Sequence, residues 1–331
     1  MTLKVGLVAD PASPTRVAHQ LRDLGDDEDQ AWDIEVVSEP FTTGSEDTGT
    51  AVARLREQAD RHRWDVVIGL TELPLRGDDG RYLLVETAPE QRTAVVSLPA
   101  LGGLRVHART RHAVRALIGG MADSTAPDPH RVPVPGRNGR WRLLLGMVLA
   151  NRPWLLVPGL KAALVAALAT GAIATVNSTV WLLAGSLAWW RLLVASLASL
   201  AVVVGWLVID GELWDRPGDA SQQAKERSRL YNASTLITLT TGCLICYLAL
   251  YLVNLLWALF ILDPRVMSSN LNTSLGYGDL FTLTWFVASA ATVGGALGSG
   301  LESDEAIRAA AYSKREEERR ARLAGADRRD Q

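Results

Sequence analysis

Leu192-Leu-Val-Ala-Ser-Leu-Ala-Ser-Leu-Ala-Val-Val-Val-Gly-Trp-Leu-Val-Ile209 is an 18-residue run without a formal charge. As a helix rising about 1.5 Å per residue it spans ~27 Å, close to the ~30 Å hydrocarbon core of a bilayer. Working outward, three more stretches share this character: Leu155–Val176, Ala233–Leu262 and Leu280–Leu301. Ala233–Leu262 is long enough to tilt or to project beyond the bilayer. The expectation is an all-α transmembrane four-helix bundle. Trp154, Trp181, Trp189, Trp190, Trp214 and Trp257 fall near the ends of these stretches, where aromatic belts lie.

Arginine placement orients the bundle. Arg137, Arg140, Arg142, Arg152 and Lys161 precede or open the first span, and Arg216, Lys225, Arg227 and Arg229 lie between the second and third. Lys314, Arg315, Arg319, Arg320 and Arg322 follow the fourth, whereas the other two loops hold only Arg191 and Arg265. The positive-inside rule therefore expects both termini in the cytoplasm and a multi-pass protein of the plasma membrane. Lys161, the one charge well inside a span, is close enough to the cytoplasmic end to snorkel. Cys243 and Cys246 lie in an apolar run and read as small residues facing the membrane. Two rows of small residues, Ala290/Gly294/Gly298 and Ala291/Gly295/Ser299, form a helix-packing face, open to a helix of the same chain or of a second copy.

Before the bundle lies a charged segment of different pattern. Lys4–Ala9, Ile34–Val37, Trp64–Leu70, Tyr82–Val85 and Thr93–Leu98 read as strands. Thr15–Leu24, Thr48–His62 and Ala108–Met121 repeat apolar residues at helical spacing. The unbroken run W-D-V-V-I-G-L reads as a central strand, and Arg76-Gly-Asp-Asp-Gly as a hairpin turn. The order βαβαβββα makes residues 1–121 an α/β domain with a mixed sheet, expected on the cytosolic side and without a secretory signal before it. Residues 122–140 hold four prolines among polar and basic side chains and read as an extended linker. Trp141–Ala150 reads as an interfacial helix opening the 141–301 membrane region, and 302–331 as a charged, solvated cytosolic tail. Asp10 and the pair Thr71 and Glu72 stand at strand ends, where α/β folds bind ligands, and mark a pocket. No glycine-rich phosphate loop follows the first strand, so a nucleotide site is disfavoured.

The run Gly69-Leu-Thr-Glu-Leu-Pro-Leu, then Ala94-Val-Val-Ser-Leu, then a helix resembles the succession of elements in archaemetzincin-type zinc peptidases. Those enzymes hold zinc on that helix through H-E-x-x-H. Here His112 stands at a first-ligand position, but Ala113 and Ala116 replace the glutamate and the second histidine, so the resemblance implies a zincin-like scaffold without its metal. Thr273-Ser-Leu-Gly-Tyr-Gly-Asp279 resembles the potassium-channel filter, in which backbone carbonyls replace an ion's hydration shell; it makes Thr273, Ser274, Leu275, Gly276, Tyr277, Gly278 and Asp279 a pore lining. Ser274-Leu275 departs from the filter pattern, and the polar residues before it are a poor pore helix. The whole layout resembles actinobacterial four-helix membrane proteins with a cytosolic α/β domain, which implies location and topology and no activity.

The formal charge of −2 gives no electrostatic basis for binding nucleic acid. Two cysteines exclude a disulfide framework. No catalytic residue, cofactor or metal site is expected. The leading expectation is a non-enzymatic, membrane-anchored sensor or scaffold whose partners are membrane lipids, itself as a homo-oligomer, and a cytosolic protein or ligand. A potassium-conducting pore and a membrane-tethered hydrolase are the alternatives.

Overall fold

The computed structural model describes residues 2–24, 32–42, 48–77, 81–88, 90, 92–103, 105–122, 131–134, 136–215, 222–271 and 276–298. The chain divides into two compact units whose main boundary in sequence is at Ala150 and Asn151; the start of the helix Gln222–Ile261, as far as Glu226, groups with the first unit and the rest of that helix with the second.

The first unit runs β1 (Leu3–Ala9), α1 (Ser13–His19), β2 (Trp32–Ser38), α2 (Thr48–His62), β3 (Val66–Thr71), β4 (Leu75–Arg76), β5 (Tyr82–Ala88) and β6 (Thr93–Ser97). It continues through α3 (Leu98–Leu101), α4 (Val106–Ala122), β7 (Arg131–Pro133) and α5 (Gly136–Ala150). The sheet order is β2-β1-β3-β6-β5-β4, with β7 also on β5. Strands β2, β1, β3 and β6 are parallel, and β5 is antiparallel to its neighbours. The N-terminal region is thus a mixed α/β sheet. Strand β3 lies at its centre with every residue buried, which is why its sequence shows no polar alternation. Val66, Ile68 and Leu70 face the core made with α1 and α4. Val67 faces the other core, made with α2 through Phe41, Ala51, Leu55 and Ala59. Each fully buried Leu or Ile in these layers contributes about 1.5–3 kcal/mol. On α2, Arg61 donates to Glu57 one turn earlier (2.6 Å), and this bond raises the guanidinium pKa above its usual value.

Several local expectations change. The first helix ends at His19, and Arg22–Leu24 form a separate 3-10 turn that still buries Leu24. The segment read as a linker is in part structured: Arg131–Pro133 add β7 to the sheet edge, and the helix begins at Gly136 rather than Trp141. That helix, α5, is not an isolated interfacial element. It packs on α3, and Gly146 lies so close to Pro99 that an added Cβ would overlap its backbone. Arg142 reinforces the contact by donating to the Leu101 carbonyl (2.9 Å), which Arg109 also reaches (2.7 Å).

The second unit is helical: α6 (Leu156–Gly159), α7 (Lys161–Thr175), α8 (Ser178–Ser186), α9 (Trp189–Asp210), α10 (Gln222–Ile261), α11 (Pro264–Leu271) and α12 (Tyr277–Gly298). Among the described residues, α9 and α10 are long and apolar enough to cross a membrane; a third span is counted if the bent pair Asn138–Gly159 and Lys161–Thr175 is one crossing. The first expected span is broken at Leu160, whose φ −105° and ψ 29° depart from the helix, so α6 stops at Gly159 and α7 restarts at Lys161. The third extends upstream to Gln222. The fourth begins at Tyr277 and is described as far as Gly298; residues 299–331, including the tail, lie outside the described residues. The loops read between spans contain the helices α8 and α11. Cys243 and Cys246 are not membrane-facing: both are buried among Leu160, Ala163 and Leu207. Trp181 is likewise interior, packed with Leu280, Leu283 and Val287 of α12, whereas Trp154, Trp189, Trp190, Trp214 and Trp257 are exposed.

Candidate functional site

Parallel pairing of β1 with β3 puts the carboxyl ends of these strands side by side, since Ala9 is opposite Leu70. The chain leaves β1 towards β2 on one side and returns to β3 on the other, so this is the point at which the strand order reverses, where open α/β sheets bind ligands. Asp10 and Thr71, both singled out in the sequence, meet here. Thr71 Oγ1 donates to Asp10 Oδ2 (2.6 Å). Thr42, just beyond β2, donates to the same carboxylate (3.0 Å to Oδ2, 3.2 Å to Oδ1). Three chain segments therefore converge on one carboxylate that is only 1 % exposed.

The surroundings are equally polar and open towards the surface, with Thr15 half-buried and Ser38 exposed. Thr15 Oγ1 donates to the Asp10 carbonyl (2.9 Å), and its oxygen lies 2.7 Å from Ser38 Oγ at the end of β2. Thr71 Oγ1 also accepts from the Leu73 amide (3.1 Å), and Ser97, ending β6, donates to the Leu73 carbonyl (2.9 Å). Glu72 follows Thr71 and is half-buried. Ala12, two residues past Asp10, holds φ 80° and ψ −114°, a conformation normally left to glycine. A strained turn thus follows β1 directly beyond Asp10. Chemically, the cluster can exchange threonine hydroxyls for the hydroxyl or amine donors of a ligand, because an ionised carboxylate is acceptor-only. Sequence reasoning missed Thr42. Its one signal is Phe41, a large apolar residue between two polar runs, which anchors in the α2 core and so delivers its neighbour to Asp10.

The other sequence-marked residues are dispersed. Thr273, Ser274, Leu275 and Ser299 lie outside the described residues. Gly276 precedes α12, and Tyr277, Gly278 and Asp279 form its first turn rather than an extended filter. The Gly276 amide donates to Asp279 Oδ2 (2.8 Å) while the Asp279 amide donates to the Gly276 carbonyl (3.1 Å), a reciprocal cap that commits this segment to starting a helix. Of the two small-residue rows, Ala291 and Gly295 face α7 in the same chain: a Cβ on Gly295 would stand 2.8 Å from the Ala163 carbonyl and 2.9 Å from the Ala167 methyl. In the other row Ala290 is exposed, Gly294 is within reach of Thr170, and Gly298 ends α12. His112 is exposed on α4, and no three His, Cys, Asp or Glu side chains converge among the described residues.

The helical unit also holds a polar cluster that the sequence reading passed over. Ser196 Oγ of α9, Tyr247 OH of α10 and Ser289 Oγ of α12 are mutually 3.0–3.1 Å apart, and Trp285 Nε1 donates to Ser196 (2.7 Å). All three hydroxyl residues are buried. The available signal was polar residues in the middle of apolar helices, which face protein rather than lipid.

No family model matches the chain, and neither a curated protein nor a solved structure matches it.

Proposed function

We propose that this chain is a membrane-anchored, non-enzymatic binding protein of sensor or scaffold type. The helical unit is held in the bilayer by α9 and α10, with α7 and α12 completing four crossings. The mixed-sheet unit stands on the cytoplasmic side and takes a ligand or partner at the ends of β1 and β3.

The observation that carries the anchoring is the outward face of α9 and α10. In the most apolar window of each helix only 28 % of the residues are buried inside the protein. Leu193, Val194, Leu197 and Val202 of α9 and Leu248, Leu252, Leu256 and Phe260 of α10 are exposed together. Apolar surface of that extent calls for a non-aqueous surrounding. The binding role is supported by the position of Asp10, Thr42 and Thr71 at the strand-order reversal and by the strained Ala12 beside them.

Sidedness is tested with single reporter cysteines, because the native Cys243 and Cys246 are buried and give a low background. An impermeant maleimide on intact cells is expected to label Ser186→Cys and to spare Thr2→Cys, with both labelled after lysis. Labelling of Thr2→Cys on intact cells, or release of the protein by alkaline carbonate, refutes the arrangement.

A further inference from the structure

We propose that the helical unit carries a binding site for an organic cation, a quaternary or alkyl ammonium group, between α8, the start of α9 and the first two turns of α12. The site goes beyond the anchoring role and does not depend on it, since every residue that forms it belongs to the second unit.

A cavity of about 320 Å³ lies there, lined by Trp181, Trp189, Trp285, Thr282 and Asp279 among others. That volume is in the range of about 300–1,000 Å³ usual for small-molecule sites. Two of the three indoles have already used their one donor elsewhere. Trp181 Nε1 donates to the Thr175 carbonyl (2.6 Å) and Trp285 Nε1 to Ser196 (2.7 Å), and neither acceptor lines the cavity. What these two rings offer the cavity is therefore carbon and π-density, not hydrogen-bond donors. Trp189, the third indole, is 70 % exposed at the start of α9.

Charge selects the occupant. Asp279 is the one formal charge among the described lining residues. Its Oδ2 is held by the Gly276 amide (2.8 Å), which fixes the carboxylate at the start of α12. The nearby Arg191 stacks over Trp190, a ring outside the cavity (5.3 Å). An anion is repelled by this set, and a neutral apolar molecule makes no use of Asp279. A small hard metal ion needs several oxygen ligands, and the side chains lining this cavity supply one carboxylate, Asp279, and one hydroxyl, Thr282. A large, weakly hydrated ammonium fits both features: its methyl or methylene shell packs among the three indoles that line the cavity, and its charge is balanced by one carboxylate. The same group occurs on free solutes such as choline and on zwitterionic lipid headgroups.

The test uses the full chain in detergent with tritiated choline in equilibrium dialysis, and tetramethylammonium and the neutral isostere 3,3-dimethylbutanol as competitors. Saturable binding displaced by tetramethylammonium and not by the alcohol is expected. Asp279→Asn keeps an acceptor for the Gly276 amide and removes only charge, and Trp189→Ala removes an exposed ring, so both are expected to fold; each weakens binding about tenfold. Undetectable binding at millimolar choline, equal competition by the alcohol, or unchanged affinity in either variant overturns the assignment. Repetition in nanodiscs separates the two sources. Choline binding lost when phosphatidylcholine joins phosphatidylglycerol marks a headgroup site, and binding kept marks a solute site.

Discussion

Replacing Leu248 with arginine distinguishes lipid from water around α10. Leu248 is 49 % exposed, and the uncharged stretch of the helix runs from Leu230 to Ile261, so this side chain lies near its middle. At ~1.5 Å per residue that stretch is about 48 Å long, more than the ~30 Å of hydrocarbon, and Leu248 lies about 27 Å from its start and about 20 Å from its end, well inside a core centred on the stretch. Leucine at such a depth favours insertion by about 0.5 kcal/mol and arginine opposes it by about 2.5–3.5 kcal/mol, a difference of roughly 3 kcal/mol or on the order of 100-fold in the inserted fraction. In water the same exposed substitution changes stability by less than about 0.5 kcal/mol. Phe260, 86 % exposed and one residue from the end of the helix, is the internal control, because an arginine there reaches the interface along its own stem. The assay is the ratio of carbonate-resistant to extractable full-length chain, with folding of the resistant fraction checked by size-exclusion chromatography. Leu248→Arg is expected to fall sharply while Phe260→Arg stays near the parent. Equal integration of the two variants refutes the membrane reading of α10.

Four further outcomes follow from the geometry. Thr71→Val removes the hydroxyl that donates to the buried Asp10 carboxylate and accepts from Leu73; it is expected to destabilise the sheet unit by about 1.5–3 kcal/mol, read as faster hydrogen exchange in β1 and β3 of the full chain. Tyr247→Phe opens the Ser196–Tyr247–Ser289 cluster and is expected to cost about 0.6 kcal/mol and no more than ~1.7 kcal/mol in detergent unfolding, the range for hydroxyl bonds between membrane helices. Gly295→Val forces its side chain against Ala163 and Ala167 and is expected to cost about 1–3 kcal/mol by overpacking, with a lower melting temperature of the helical unit. Gly278→Ala meets open space in the first turn of α12 and is expected to leave the melting temperature unchanged or slightly raised; a marked loss of fold points to a role for this glycine other than starting a helix.

How far the fold was legible depended on whether a signal was local. The all-buried β3 announced itself as an unbroken apolar run, and α2 has the bounds its periodicity gave, Thr48–His62. The hairpin around Arg76 is framed as expected by pairing of Leu75 and Arg76 with Leu83 and Tyr82. What escaped depended on long-range packing. A proline-rich stretch lacks regular hydrogen-bond patterns of its own, so nothing in 122–140 announced that Arg131–Pro133 would pair with β5, whose partners lie about fifty residues earlier. The docking of α5 rests on one close approach, Gly146 on Pro99, that composition does not reveal. At the candidate site Asp10 and Thr71 were readable because strand ends in α/β sheets are ligand positions. Thr42 was not readable, since it lies in irregular chain and reaches Asp10 only through Phe41.

The two units follow opposite burial rules, and that contrast bears most directly on where each resides. In the sheet unit the interior is Val, Leu and Ile, and Asp10 is tolerated inside only with hydroxyl donors gathered around it. In the helical unit many large apolar residues are exposed, while Thr175, Ser196, Ser199, Asn254, Thr284 and Ser289 are buried. Most of these polar side chains first satisfy themselves within their own helix: Thr175 on Gly171, Ser196 on Leu192, Asn254 on Leu250, Thr284 on Leu280 and Ser289 on Trp285, each at 2.7–3.0 Å. Water outside a protein removes any need for that arrangement, because a surface hydroxyl finds solvent. Hydrocarbon outside imposes it, because a hydroxyl turned outward has no partner. The Ser196–Tyr247–Ser289 cluster adds the inter-helix half of the same logic. Its hydroxyls tie α9, α10 and α12 together, which in the proposed bilayer setting supplies the association that the hydrophobic effect, equal for Leu against Leu and Leu against lipid, does not.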